Sequence, residues 1–155
     1  MNECTALPPR PHPRATVFRT SRAFVVQPDG RTSAVVTIGV DPVEVVPSQQ
    51  ELTAALERAF EASKTRVVPH PHDWGSYEPP LQHVEEYLRG RRRVFGVRGC
   101  VVDADAALFR VTPMKPLDRY NWGFDDEATV TVPYGSDLML LANTIASVLA
   151  AAARL

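Results

Sequence analysis

Two histidines and an aspartate in a proline-rich stretch are the residues best suited to metal chemistry. His70, His72 and Asp73 fall within four consecutive positions, and imidazole and carboxylate are common ligands of divalent metals. A structural zinc site has four ligands, and neither His83 nor any other residue completes a recognised spacing. The surrounding prolines favour a stiff loop with solvated histidines. We therefore expect no metal and no cofactor, and keep a metal-binding protein or small enzyme centred on this loop as the alternative function.

Nucleophilic or acid–base catalysis has weaker candidates. Cys100 would need a base such as His83 placed beside it by the fold, and its apolar neighbours, Val101 among them, instead predict a buried and inert thiol. Close carboxylates such as Asp103 and Asp105 are typical of solvated turns. No glycine-rich phosphate loop is present. The sequence predicts that the protein is not an enzyme.

A run of arginines, from Arg89 to Arg93 and again at Arg98, could bind phosphate or an acidic partner. The alternative is a solvated charge run at the end of a helix. The formal net charge of the whole chain is only −1, which argues against binding through bulk positive charge. We predict no direct contact with nucleic acid.

A second polar stretch, from residue 118 to residue 127, interleaves aromatic and acidic side chains. Loop aromatics can anchor a protein–protein interface, and carboxylates around them can steer a basic partner. The alternative is that Trp122 and Phe124 cap the core beneath the sheet, and their exposure decides between the two. The candidate binding residues are Asp118, Tyr120, Trp122, Phe124, Asp125, Asp126 and Glu127.

Length and composition predict an ordinary globular chain. The 155 residues suit one domain, and two cysteines, Cys4 and Cys100, form no disulfide framework, which favours a reducing compartment. No targeting segment is evident at the start. The apolar tract from Leu138 to Leu155 is broken by polar residues and favours a buried core helix over a membrane span.

The secondary-structure elements that must position these residues are predicted from two similar sequence segments. Val43–Ser63 predicts a short strand and an amphipathic helix that Ser48 caps. The plan returns near the end of the chain, since Pro47 and Pro133, and likewise Leu52 and Leu138, are separated by 86 positions. The predicted strands that precede these two segments are separated from each other by 85 positions. We predict an internal repeat of two β-β-α units, at about 23–63 and 106–153.

The remaining segments complete an α+β fold. A hairpin is predicted from Ala23–Gln27 and Ser33–Val40 around a turn at Pro28-Asp29-Gly30. A second is predicted from Val94–Val102 and Ala106–Thr112. Elsewhere we expect an edge strand at Ala15–Thr20, a helix at Leu81–Arg89, and a loop at Met114–Glu127. The whole predicts a flexible proline-rich segment 1–14 and a single domain 15–155, in which an antiparallel or mixed sheet packs against helices.

These phrases resemble one family of contact-dependent growth inhibition immunity proteins. The resemblance covers Ser21 to Ala153 and rests on "VPS..EL..AL..AF..S", on Phe109-Arg110-Val111-Thr112-Pro113, on the Trp122-Gly123-Phe124 loop, and on Val130-Thr131-Val132-Pro133 followed by Ser136-Asp137-Leu138. It implies a small bacterial cytosolic protein without catalysis, which binds the toxic C-terminal domain of a cognate effector, often a nuclease. No binding residue is carried over from the family.

The expected function is therefore toxin neutralisation in the cytoplasm, with the cognate toxin C-terminal domain as partner and with no membrane contact. We expect a monomer or a weak homodimer. The acidic and aromatic stretch is the expected contact surface, because nucleases present basic surfaces that bind phosphate and acidic patches speed their capture.

Overall fold

The computed structural model describes residues 7–78, 80–83, 97–118 and 121–155. Within these ranges the chain forms nine strands and two helices. The strands are β1 (Arg14–Arg19), β2 (Phe24–Thr32), β3 (Thr37–Gly39), β4 (Glu44–Val46), β5 (Val67–Val68), β6 (Arg98–Ala104), β7 (Leu108–Pro116), β8 (Trp122–Phe124) and β9 (Val130–Pro133), and the helices are α1 (Gln49–Thr65) and α2 (Leu138–Ala151). Short 3-10 turns lie at Pro80–His83 and Asp126–Ala128.

The strands form one sheet in the order β3-β2-β1-β6-β7-β8, in which β4 and β5 also pair with β2, and β9 also pairs with β7. Every described pairing is antiparallel except that of β2 with β5. The predicted α+β fold is confirmed. The expectation that Ala15–Thr20 is an edge strand is wrong, because β1 pairs with both β2 and β6 at the centre of the sheet.

The two halves of the sheet have matching registers. Phe24 of β2 lies opposite Val46 of β4, and Phe109 of β7 lies opposite Val132 of β9. The two pairs are offset by the same 85 and 86 positions that relate the sequence phrases. The helices, however, are offset further, since buried Leu52 of α1 corresponds to buried Leu141 of α2, 89 positions on.

The turn between β9 and α2 accounts for the three extra positions. It contains Gly135 with φ of +86°, a conformation that a residue without a Cβ adopts at little cost. Ser48 caps α1 and Asp137 caps α2, each accepting a backbone N–H of the first turn. Leu138, the sequence match to Leu52, is therefore only half-buried.

The predicted turn at Pro28-Asp29-Gly30 is wrong. β2 continues through these residues, and the chain reverses at residues 33–36, where Val35 has φ of +64°. Pro28 is the last β2 residue that pairs with β1, and pairing with β3 begins at the next residue. A proline, which lacks an N–H group, is tolerated at such a change of neighbouring strand. The Asp29 carboxylate is buried but accepts a 2.7 Å hydrogen bond from Thr16 Oγ1.

The second predicted hairpin is present as β6 and β7, joined at residues 105–107. Asp105 Oδ1 accepts the N–H groups of Ala107 and Leu108, at 2.7 and 2.8 Å. The prediction of a loop at Met114–Glu127 is partly wrong, because β7 runs on to Pro116 and β8 folds back against it.

One core joins both halves. Side chains from α1 and α2 pack on the same face of the sheet in a single buried cluster. The rings of Phe60 on α1 and Phe109 on β7 stack with centroids 5.6 Å apart. Residues of the two halves of the chain thus bury one another, which makes the described fold one domain.

The opposite face of the sheet carries a smaller cluster of Phe18, Val25 and Met114. Gly99 lies beneath it, and a Cβ at that position would meet Met114 Sδ at 2.8 Å. The sequence predicted a helix at Leu81–Arg89; the structure describes Pro80–His83 as a 3-10 turn, and residues 84–89 lie outside the described ranges. At residues 1–14, flexibility stays a prediction.

Neither described helix combines the length and the apolar character needed to span a membrane. The prediction that the apolar C-terminal tract is a buried core helix is half right. One side of α2 contributes Leu141, Ile145 and Leu149 to the core. The other side carries Met139 and Leu140 with 60% and 49% of their surface exposed.

Candidate interaction surface

The β7–β8 hairpin positions the acidic and aromatic stretch at the end of the C-terminal half. Met114 lies opposite Phe124, and Pro116 lies opposite Trp122. The connecting turn closes where Leu117 N–H donates to Asn121 O at 2.9 Å. The carboxylate of Asp118 accepts hydrogen bonds from the Asn121 backbone and side chain, which fixes one acidic group at the tip. Tyr120 lies outside the described residues.

The aromatic side chains of this hairpin face solvent. Trp122 is 42% and Phe124 40% exposed, and their rings meet edge to face at a centroid distance of 5.7 Å. Leu117 beside them is exposed as well. Of the two interpretations that the sequence left open, capping of the core is excluded. The remaining one is a surface cluster of large apolar side chains of the kind that anchors interfaces.

Acidic residues follow this cluster on the next turn. Asp126 and Glu127 are exposed on the 3-10 turn, and Asp125 lies 3.8 Å from Lys115 Nζ. An exposed pair at that separation contributes little to stability. The carboxylates therefore remain available to a partner. We call the described residues 115–118 and 121–128 the hairpin surface.

A cleft of about 630 Å³ opens beside the hairpin surface. Sequence reasoning did not anticipate it. Its floor and walls come from the end of β7, the 3-10 turn, the start of β9 and the exposed side of α2. The lining residues are Pro113, Met114, Lys115, Asp125, Ala128, Val130, Asn143, Thr144, Ser147, Val148, Ala151, Ala152 and Ala153.

One sequence signal could have indicated an exposed apolar side on α2. The helix has 14 residues, and none of them is charged. A helix that covers one face of a two-layer domain has a solvated side, so a charge-free helix in that position must expose apolar or small polar groups. Large apolar patches on a surface mark interaction sites.

The histidine loop has other partners. His70 Nδ1 lies 3.0 Å from Thr32 Oγ1, and its ring meets the Trp74 ring edge to face. Asp73 accepts the Ser76 hydroxyl and the Gly75 N–H, which together lower the pKa of its carboxyl. Among the residues the structure describes, no three ligating side chains of the His, Cys, Asp or Glu types come together. His72 is exposed, and the side chain of His83 lies outside the description.

The other candidate chemical groups are engaged within the fold. Cys100 is buried, and burial raises the pKa of its thiol far above the ordinary value. Arg110 forms ion pairs with both Asp103 and Asp105. Arg98 donates to the Ala150 carbonyl near the end of α2 at 2.8 Å. The arginines at 89–93 lie outside the described residues.

The fold has solved counterparts. A protein of unknown function from Neisseria meningitidis has a TM-score of 0.63 and 11% sequence identity, over 96% of this chain and 100% of that one. A chain in the CdiA-CT/CdiI toxin and immunity complex from Yersinia pseudotuberculosis has a TM-score of 0.62 and 12% identity, over 94% of this chain and 99% of that one. Both likenesses establish a shared fold.

No protein-family model matches the chain, and no curated protein matches it in sequence.

Proposed function

We propose that this protein is a non-catalytic immunity protein, which binds the toxic C-terminal domain of a cognate contact-dependent growth inhibition effector in the cytoplasm. The observation that carries the proposal is the shared fold, over nearly the whole of both chains, with a chain of a toxin and immunity complex. The sequence phrases that resemble immunity proteins lie on the strands and helix starts that define this fold. The sequence resemblance and the likeness of fold therefore concern the same architecture.

The hairpin surface is the proposed contact with the toxin. It combines exposed Trp122 and Phe124 with four carboxylates, against two basic residues, in positions 115–127. Aromatic anchors supply most of the binding free energy at many interfaces, and acidic groups at the rim accelerate capture of a basic partner. A nuclease presents positive charge to bind phosphate. We therefore propose a nuclease as the toxin.

The toxin would then be neutralised because its substrate-binding surface is covered, and no reaction would be needed. A protein bound over the basic surface of a nuclease excludes the nucleic acid from it. This mode of neutralisation requires no catalytic group among the described residues. The burial of Cys100 and the hydrogen bond between His70 and Thr32 are compatible with it.

The test is calorimetric titration of the purified chain with the toxin domain encoded by the neighbouring effector gene, together with rescue of growth on co-expression. We expect nanomolar affinity and full rescue. Absence of both binding and rescue would overturn the proposal.

Two tryptophans provide a matched pair of variants. Trp122→Ala should weaken binding at least tenfold, whereas Trp74→Ala, which removes a similarly exposed indole (49%) on the histidine loop, should leave the affinity within about twofold. Equal losses in both variants would contradict the assignment of the hairpin surface while leaving the immunity function in place.

A further inference from the structure

The cleft beside the hairpin surface has apolar walls, and the turn at one edge of it carries Asp125, Asp126 and Glu127. Met114, Val130 and Val148 line its interior, and Ala151 lines it from the last turn of α2. Its volume lies within the range of about 300–1,000 Å³ typical of ligand-binding clefts. This volume exceeds that of one side chain, so the cleft has room for more than a single residue.

Charges of both signs lie beside the cleft: Arg98 donates to the Ala150 carbonyl at the α2 end, whereas the carboxylates are together on the turn at the cleft's other side. Asp125 lines it and belongs to the same turn as exposed Asp126 and Glu127. Lys115 is the one cationic group among the described lining residues, and it is 46% exposed and weakly paired at 3.8 Å. The α2 side contributes neutral groups, since Asn143 bonds Gln49 and Thr144 bonds the Leu140 carbonyl.

We infer that this cleft receives a short basic segment of the toxin domain. An inserted Lys or Arg side chain would pack its aliphatic stem on the apolar walls and direct its cation to the carboxylates of the turn. An acidic or nucleic-acid occupant would instead meet like charge at the rim. The inference rests on the proposed function and assigns the partner's chemistry at that surface.

The first test fills the cleft. Ala151→Trp places an indole in it from an exposed position on α2, and Ala54→Trp is the matched control at an exposed position on α1. We expect Ala151→Trp to raise the Kd for the toxin domain at least 30-fold, the loss typical of a hot spot, and Ala54→Trp to change it less than threefold. If both variants bind as the wild type does, the cleft is not the contact.

The second test removes one rim charge. Glu127→Gln and Glu57→Gln each neutralise an exposed carboxylate, one on the turn beside the cleft and one on α1. Only Glu127→Gln should lower the association rate constant for the toxin domain and make that rate constant less sensitive to salt. Charges at the edge of an interface change the association rate more than the dissociation rate. An identical salt dependence in the two variants and the wild type would contradict a basic occupant.

The third test identifies what covers the cleft. In a Cys4→Ser background, Ala151→Cys and Ala54→Cys are treated with a thiol alkylating reagent, and the buried Cys100 stays unreactive. The toxin domain should slow alkylation at position 151 at least tenfold and leave position 54 unchanged. Protection that instead grows with the concentration of this chain alone would assign the cleft to a second copy and overturn the inference.

These outcomes separate the two levels of the argument. If the wild-type chain fails to bind the toxin domain, the proposed function fails. If the wild type binds tightly and the position-151 variants behave as their position-54 controls do, only the assignment of the cleft fails.

Discussion

The two β-β-α units share a pairing scheme but differ in what they present to solvent. Helix α1 carries five charged residues, and Arg58 on it forms a bidentate ion pair with Glu44 of β4. Helix α2 carries none and exposes Met139 and Leu140. Because both helices cover the same core, folding alone does not require this difference. The exposed apolar side of α2 is the feature on which the proposed contact surface of the C-terminal unit depends.

The ends of the long strands β2 and β7 differ in the kind of apolar side chain that they expose. Beyond its pairing with β1, β2 is flanked by β3 and β5, and Arg10 donates to the carbonyls of Asp29 and Gly30. Beyond its pairing with β6, β7 is flanked by the short β8, whose Trp122 and Phe124 stay exposed. Both strand ends are thus flanked by their own chain and expose apolar side chains, but those at the β2 end are the aliphatic Val35 and Val36, whereas those at the β7 end include two aromatic rings.

The largest effect should come from the matched leucines of the shared core. Leu52→Ala and Leu141→Ala each remove a fully buried side chain at corresponding places on α1 and α2, so each should lower the free energy of unfolding by about 3 kcal/mol. Both variants should unfold in one transition, since the two helices pack in one cluster. Urea unfolding followed by circular dichroism and by tryptophan fluorescence measures both quantities.

If a variant unfolds in two steps, so that part of its circular dichroism or fluorescence change occurs at a lower urea concentration than the rest, the expectation of a shared core is contradicted. Such a result would show that the units unfold separately and that the core between Phe60 and Phe109 does not couple them. Val17→Ala, in the central strand that borders both units, is the reference for a truncation that belongs to neither helix.

Much of this core could be predicted from the sequence. The apolar residues Leu52, Leu56 and Phe60 recur with the helical period, and runs of β-branched residues predict β2, β6 and β7. Both signals involve residues close in sequence, which is why they can be read without the structure. Pro28-Asp29-Gly30 has turn composition and yet continues β2. There the tertiary pairing with β3 and the hydrogen bond from Thr16 to Asp29 override the local preference.

The candidate surface was only partly predictable. The composition of residues 118–127 indicated an anchor surrounded by acids, but the exposure of Trp122 depends on how β8 pairs with β7, which a short strand does not specify in sequence. The cleft depends on residues as distant as Met114 and Ala151. No local pattern encodes such a juxtaposition.

The helix caps should give a smaller and similar effect in the two units. Ser48→Ala and Asp137→Ala each remove the side-chain oxygen that accepts an N–H of the first turn, and each should cost about 1 kcal/mol of unfolding free energy. Thr144→Ala, on the exposed side of α2, serves as a control for a lost hydroxyl outside a cap. A negligible cost for Asp137→Ala alone would mean that the longer turn with Gly135 supports α2 by itself.

The smallest effects concern two aspartates that titrate in opposite senses, Asp29 in the N-terminal unit and Asp105 in the C-terminal one. Burial raises the pKa of Asp29 above its ordinary 3.8, against the opposing hydrogen bond from Thr16 and the charge of Arg14. The N–H groups of Ala107 and Leu108 lower the pKa of Asp105. The two carboxylates should therefore contribute opposite slopes to stability as pH changes.

For Asp29, the folded state keeps a proton that the unfolded chain releases, so its contribution falls as pH rises from about 4. Asp29→Asn should thus gain stability relative to the wild type on going from acid to neutral pH. For Asp105, the contribution is present above the unfolded pKa and is lost as pH falls through the folded pKa, so Asp105→Asn should lose stability relative to the wild type over the same rise. Urea unfolding of the three proteins between about pH 3.5 and 7 measures both differences, and slopes of the same sign would show that burial does not govern Asp29.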